Sequence, residues 1–107
     1  MHRAKANSDV FRAIADPTRR AILDQLRGGP VAVNTLASEF SQTRPAISKH
    51  LRVLREARLV TEQRFGRERL YRIQPEPLRG VVWWIERYRA MWQTNLNNLK
   101  RHLEKDQ

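Results

Sequence analysis

A chain of 107 residues is one domain with room for a small core. Without cysteine it forms neither disulfides nor thiolate metal sites, and no apolar run approaches the roughly 20 residues that span a bilayer. Its 21 Lys and Arg against 11 Asp and Glu give a net charge of +10. That excess is concentrated: residues 41–73 hold nine basic and three acidic groups, whereas residues 1–40 and 74–107 each hold six and four. Concentrated positive charge favours a polyanion, because neutralising phosphates releases condensed counterions. The opening MHRAKANSD lacks the apolar core of a signal peptide, so a cytoplasmic location is expected.

In chain order, residues 1–7 are polar and basic and are expected to be frayed. A first helix is expected from near Ser8, an N-cap residue type, with Asp9 favourable in the first turn and Val10, Phe11 and Ile14 on its buried side. It ends at Asp16-Pro17, because the residue before a proline is pushed out of the helical region. Asp16 then caps a second helix with Pro17 at its first position. Ala21, Ile22 and Leu26 form its apolar stripe, leaving Arg19, Arg20 and Arg27 in solvent. Gly28-Gly29-Pro30 stops it. Val31-Ala32-Val33 reads either as a lone strand or as the entry to a short third helix, about Asn34 to Phe40, with Leu36, Ala37 and Phe40 inward.

After the polar turn Ser41-Gln42-Thr43, Thr43 as N-cap and Pro45 in the first turn open a longer helix that runs to about Arg58. Ile47, Leu51 and Leu54 give it one narrow apolar seam, while Arg44, Ser48, Lys49, Arg52 and Arg55 occupy the other side. His50 falls between the seam residues and reads as a packing or hydrogen-bonding group. A short helix, a tight turn and a longer basic helix form a helix-turn-helix pattern, and the major groove accepts such a helix with its first residues at the base edges.

Two antiparallel strands, about 59–64 and 69–73, follow around Gly66. Arg64, Arg67, Arg69 and Arg72 make this hairpin a candidate wing reaching phosphates or a minor groove; the alternative is a solvated hairpin balanced by Glu62 and Glu68. Beyond Pro75 and Pro77 a last helix spans residues 78 to about 103. Val81, Ile85, Tyr88, Trp92, Leu96, Leu99 and Leu103 repeat at helical spacing along it, and all three tryptophans lie on it. At about 1.5 Å per residue it is nearly 40 Å long, more than a core this small covers. A homodimer covering the remainder is the economical expectation. Its interface would take Phe11, Trp83, Trp84, Tyr88, Met91 and Trp92, with residues 78–104 as the dimerising helix of a single domain, 1–107.

DVFRAIADPTRRAILDQL, then TLASEF, RPAISKHLRVLREARLV and the basic hairpin FGRERLYRI resemble the ArsR-type winged helix-turn-helix repressors over about residues 9–75. The aromatic VVWWIERYRAMW resembles members that dimerise through helices at the chain's end. The resemblance implies a mainly α fold with a small β-hairpin wing: four helices, two strands and a final helix. It also implies a homodimeric repressor on a palindromic operator. The DNA-reading positions it implies are Gln42, Thr43, Arg44, Ser48 and Lys49 at the start of the second motif helix, and Arg67 and Arg69 at the wing tip. Arg52 and Arg55, further along the helix, read as phosphate clamps or solvated charges. Metal sensors of the family carry cysteines where this chain has Ala32 and Asn34, and neither replaces a soft ligand. His102 with Glu104 and Asp106 does not reproduce the paired ligands of the terminal-helix metal site, so no metal and no cofactor is expected. A small-molecule or protein effector is compatible with the family.

Two other readings are set beside a DNA-binding regulator. A basic RNA- or ribosome-associated domain would carry exposed aromatics on a sheet or loop to stack on splayed bases, whereas half of the aromatics here sit at packing spacing in one helix. An enzyme would need a phosphate loop, an activated nucleophile or a metal constellation, and none is written in the chain.

Overall fold

The structure, a computed structural model, describes residues 2–105, with side chains from Ser8 to Lys105. Helices α1 (His2–Ile14) and α2 (Pro17–Leu26) precede a two-residue strand β1 (Val31–Ala32) and the short α3 (Val33–Glu39). The long basic helix α4 (Arg44–Glu56) leads into a hairpin of β2 (Val60–Phe65) and β3 (Glu68–Ile73). A single 3-10 turn (Glu76–Leu78) then runs into α5 (Arg79–Lys105).

The caps of α2 and α4 are where the residue types place them. Asp16 lies in extended backbone, and its carboxylate accepts the Arg19 backbone N–H at 3.0 Å. Thr43 does the same for α4, accepting the Ala46 N–H at 3.3 Å. Helix α4 closes in a Schellman arrangement: Arg58 adopts φ +62°, its N–H bonds the Arg55 carbonyl at 2.9 Å, and the Leu59 N–H bonds the Leu54 carbonyl at 3.0 Å. Leu59, just beyond this turn, is fully buried and anchors it to the core. At the hairpin, Gly66 takes φ +61° as the first of two loop residues, as a type II′ turn requires.

Three expectations change. Helix α1 begins at His2, well ahead of Ser8, because Arg3, Ala4, Lys5 and Ala6 are all good helix formers and carry the helix upstream. Side chains 1–7 and Asp106 lie outside the described residues. Arg19 and Arg20 are not simply solvated. Arg19 donates from Nε to the Ala13 carbonyl at 2.7 Å and from Nη2 to that of Arg12 at 3.0 Å, and Arg20 donates to Ile14 at 2.8 Å. These are the last carbonyls of α1; Pro17 prevents continuation of the helix beyond them, and the Arg12 carbonyl also accepts the Ala15 N–H at 3.3 Å. The sheet has three strands in the order β1-β3-β2, with Val31 opposite Tyr71 and Ala32 opposite Leu70, so the Val-Ala pair is a strand and Val33 starts α3.

The core joins Val10 and Ala13 of α1, Ile22, Leu23 and Leu26 of α2, Leu36 of α3, and Ile47, Leu51 and Leu54 of α4. Val60 and Tyr71 from the hairpin close it. Leu78 and Val81 are the last side chains to reach it. No side chain of α5 is buried, and the helix runs on past the body of a molecule measuring 65 × 37 × 21 Å.

Candidate nucleic-acid interface

The buried seam of α4 fixes which side chains face outward. With Ile47, Leu51 and Leu54 almost fully buried, Arg44, Ser48 and Arg52 stand exposed away from them one helical turn apart, with Lys49 exposed beside Ser48. Strand alternation sets the other wall. The pairs Glu62–Tyr71 and Arg64–Arg69 occupy one face of the hairpin. Between helix and hairpin lies an open groove of about 420 Å³, lined by Arg44, Ser48, Lys49, Arg52, Arg55 and Arg69 over Glu62 and Tyr71.

Of the seven DNA-reading positions implied by the resemblance, the groove therefore collects four, Arg44, Ser48, Lys49 and Arg69, and with them Arg52 and Arg55. Arg44, Lys49 and Arg52 form no ion pair with any described residue, so their charge is unneutralised within the protomer. Arg67 sits apart, exposed in the wing turn, while Arg69 lies inside β3 rather than at the tip. Thr43 uses its hydroxyl oxygen as the α4 cap.

Gln42 is exposed, but both ends of its amide are engaged by other side chains of the protein. Its Nε2 donates to Thr18 Oγ1 at 2.8 Å, and its Oε1 lies 3.1 Å from His50 Nε2. His50 Nδ1 is 3.3 Å from Arg19 Nη1 and 3.9 Å from Asp16 Oδ2. A guanidinium only donates, so Nδ1 accepts from Arg19 and Nε2–H donates to Gln42. The chain Arg19–His50–Gln42–Thr18 thus ties the start of α2 to the turn and to the middle of α4, fixing the angle at which α4 leaves the body. The Arg19 N–H, ahead of the nearby cations, holds the Asp16 carboxyl below its ordinary range.

Two groove residues escaped the sequence reading of the interface. Glu62 read as charge balance, and Tyr71 only as a strand former. The period-two alternation that puts residues 62 and 64 beside 71 and 69 is the signal that would have placed both under α4. Burial, then the adjoining Glu62 carboxylate, raises the Tyr71 phenol above its ordinary range.

On α5, Trp84 meets Phe11 of α1 edge-on at 5.7 Å and Tyr88 at 5.1 Å. Tyr88, Met91, Trp92, Leu96, Leu99 and Leu103 continue outward from this cluster, all exposed. Trp83 does not share the stripe. At about 100° per residue it is turned about 140° from Tyr88. It lies under the Arg87 guanidinium, 5.7 Å from the ring centre, beside Pro75, Leu78 and Val82. The six expected interface residues therefore divide into five near one side of the helix and Trp83 on another.

Comparisons with known proteins agree with this geometry. A family model described as a helix-turn-helix domain matches residues 14–63, which run from the end of α1 into β2. The chain is 42% identical over 79 residues to the HTH-type transcriptional regulator Rv2034 of Mycobacterium tuberculosis, covering 74% of each chain. It is 37% identical over 78 residues to the transcriptional repressor SdpR of Bacillus subtilis, covering 73% of this chain and 87% of that one. The crystal structure of an ArsR family transcriptional regulator, RHA00566, superposes with a TM-score of 0.75 at 33% identity, over 84% of this chain and 93% of that one. Fold, cationic groove and relatives coincide, and the chain belongs to the ArsR family of winged helix-turn-helix transcriptional regulators.

Proposed function

We propose that this DNA-binding regulator is a cytoplasmic homodimeric repressor whose two α4 helices enter successive major grooves of a palindromic operator. The observation that carries the reading is the run of unneutralised cations Arg44, Lys49 and Arg52 on the outward side of α4, sharing one groove with Arg69 of the hairpin. Arg44 and Lys49, in the first half of the helix, are the candidates for guanine O6 and N7, with Ser48 as a smaller polar partner. Arg52, Arg55 and Arg69 hold phosphates, and Arg67 reaches over the wing turn towards the adjacent minor groove. Gln42 and Thr43 serve instead by fixing the turn and the helix start.

Dimerisation uses the stripe that begins at Phe11, Trp84 and Tyr88 and runs out through Met91, Trp92, Leu96, Leu99 and Leu103, in an isologous contact. Trp83 lies away from its centre. The name of the Bacillus relative supports repression, and relatives named as transcriptional regulators favour duplex DNA over the RNA-binding alternative and over an enzyme. No helix is long and apolar enough to cross a membrane among the described residues. Selection of bound duplexes from a random pool tests the whole reading. The expected product is an inverted repeat with half-site centres about one DNA turn, roughly 34 Å, apart. A pool that stays random after selection rejects it.

A further inference from the structure

The groove built for a polyanion carries a carboxylate on its floor. Glu62 is the one acidic residue among those lining it. Its Oε2 accepts from Arg55 Nη1 at 2.8 Å and from the Tyr71 hydroxyl at 3.1 Å, and its Oε1 faces Arg69 Nε at 3.4 Å. The carboxylate is held in place, with its side chain 20% exposed, whereas the two guanidiniums it grips are about half exposed, at 50% and 52%. Arg55 comes from the last turn of α4 and Arg69 from β3, so the one carboxylate spans helix and wing.

Such an arrangement opposes loose DNA binding in two ways. A phosphate entering the groove meets a fixed negative charge, and it must compete with Glu62 for the same two guanidiniums. It also permits tight binding. Each guanidinium has five N–H donors and uses only part of that fork on Glu62, so the outward N–H groups are already oriented for a backbone that arrives in register.

We propose that Glu62 is a specificity-determining residue, which grips Arg55 and Arg69 across the groove floor and so withholds them from any duplex that does not seat fully against α4. This rests on the proposed reading of the groove as the DNA interface. On a non-cognate duplex the protein slides on Arg44, Lys49, Arg52 and Arg67, and the two held arginines stay neutralised. On the operator, base contacts from α4 draw the backbone down to them, and both contribute.

The test is Glu62→Gln in the full chain, compared with wild type on the selected operator and on a scrambled duplex, by fluorescence anisotropy across a salt series. The amide is isosteric and still accepts from Arg55 and Tyr71, and circular dichroism checks the fold. The scrambled duplex is expected to bind roughly tenfold tighter at low salt, with the slope of log K against log salt steeper by about 1 to 2, as one or two further phosphates are neutralised. The operator-to-scrambled ratio falls by about tenfold, the discrimination of one base pair. Arg69→Gln reads the same claim from the other side: operator affinity falls more than scrambled affinity. An unchanged slope and ratio in Glu62→Gln, or an equal loss on both duplexes, overturns the assignment. A wild-type protein without sequence preference instead overturns the reading of the groove itself, and this inference with it.

Discussion

Trp92→Ala tests the link between the projecting half of α5 and DNA binding. Trp92 is 52% exposed in the protomer, midway along a stripe in which Leu96, Leu99 and Leu103 are exposed to between 55% and 64%. A tryptophan side chain offers up to about 250 Å², so roughly 130 Å² of it faces water in one protomer and twice that in a two-fold pair. At about 25 cal/mol per Å² the gross burial amounts to about 6 kcal/mol per dimer. Half of this is a fairer expectation, since the partner covers only part of that area and alanine retains its Cβ. The remaining loss of about 3 kcal/mol weakens dimerisation by a little over 100-fold. The protomer is expected to survive, because alanine is the better helix former and Trp92 belongs to no part of the core. Sedimentation equilibrium over a concentration series measures the constant, with helicity by circular dichroism as the control. Affinity for a full palindrome should fall in step, while affinity for an isolated half-site holds. A wild-type chain that sediments as a monomer at micromolar concentration would refute the reasoning, as would a variant that dimerises like wild type.

Lys49→Ala is expected to cost about 1–3 kcal/mol on the preferred duplex and less on a scrambled one. An equal loss on every sequence, measured by anisotropy, makes Lys49 a phosphate contact. His50→Ala leaves Arg19 without its ring acceptor and Gln42 without its donor. About 1–3 kcal/mol of stability should go in urea unfolding, together with operator affinity, because the turn before α4 loosens. Asp16→Ala removes a helix cap worth about 1 kcal/mol at neutral pH. Since the folded-state pKa of Asp16 is depressed, its contribution is complete above the unfolded value of about 3.9 and is lost as pH falls through the lower folded value. Stability curves of wild type and variant should therefore converge in acid; a gap that persists unchanged would assign the cost to something other than the charged cap.

Features set by neighbours in sequence were legible in the chain. Asp16 and Thr43 cap because each places a side-chain oxygen at the N-cap with a proline in the turn that follows, and the seam of Ile47, Leu51 and Leu54 determines the outward side of α4 without any tertiary information. Features set by distant partners were not. Val31-Ala32 becomes a strand only because Tyr71 and Leu70 lie opposite. Gln42 looks like a groove residue until Thr18, 24 positions earlier in the chain, takes its amide. Arg19 and Arg20 look solvated because the α1 carbonyls they reach are brought to them by the turn between the two helices rather than by any residue type. Trp83 and Trp84 are adjacent in sequence, yet neighbours on a helix diverge by about 100°, so they face different sides of α5.

The placement of the acidic residues explains why a net charge of +10 becomes a local rather than a diffuse property. Asp16 serves as a helix cap beside His50, and Glu76, Glu86 and Glu104 pair with Arg79, Arg89 and Lys100 along the 3-10 turn and α5. In the cationic middle of the chain only Glu62 reaches the groove, and it reaches the far end of α4, beside Arg55, rather than Arg44 or Lys49. Like charges one helical turn apart repel, so leaving Lys49 and Arg52, three residues apart, unneutralised works against the stability of α4 itself. The buried seam, the Thr43 cap and the Schellman turn at Arg58 hold the helix together against that repulsion. A polyanion relieves it on binding, and the single retained carboxylate determines how far into the groove that polyanion must come before the last two arginines respond.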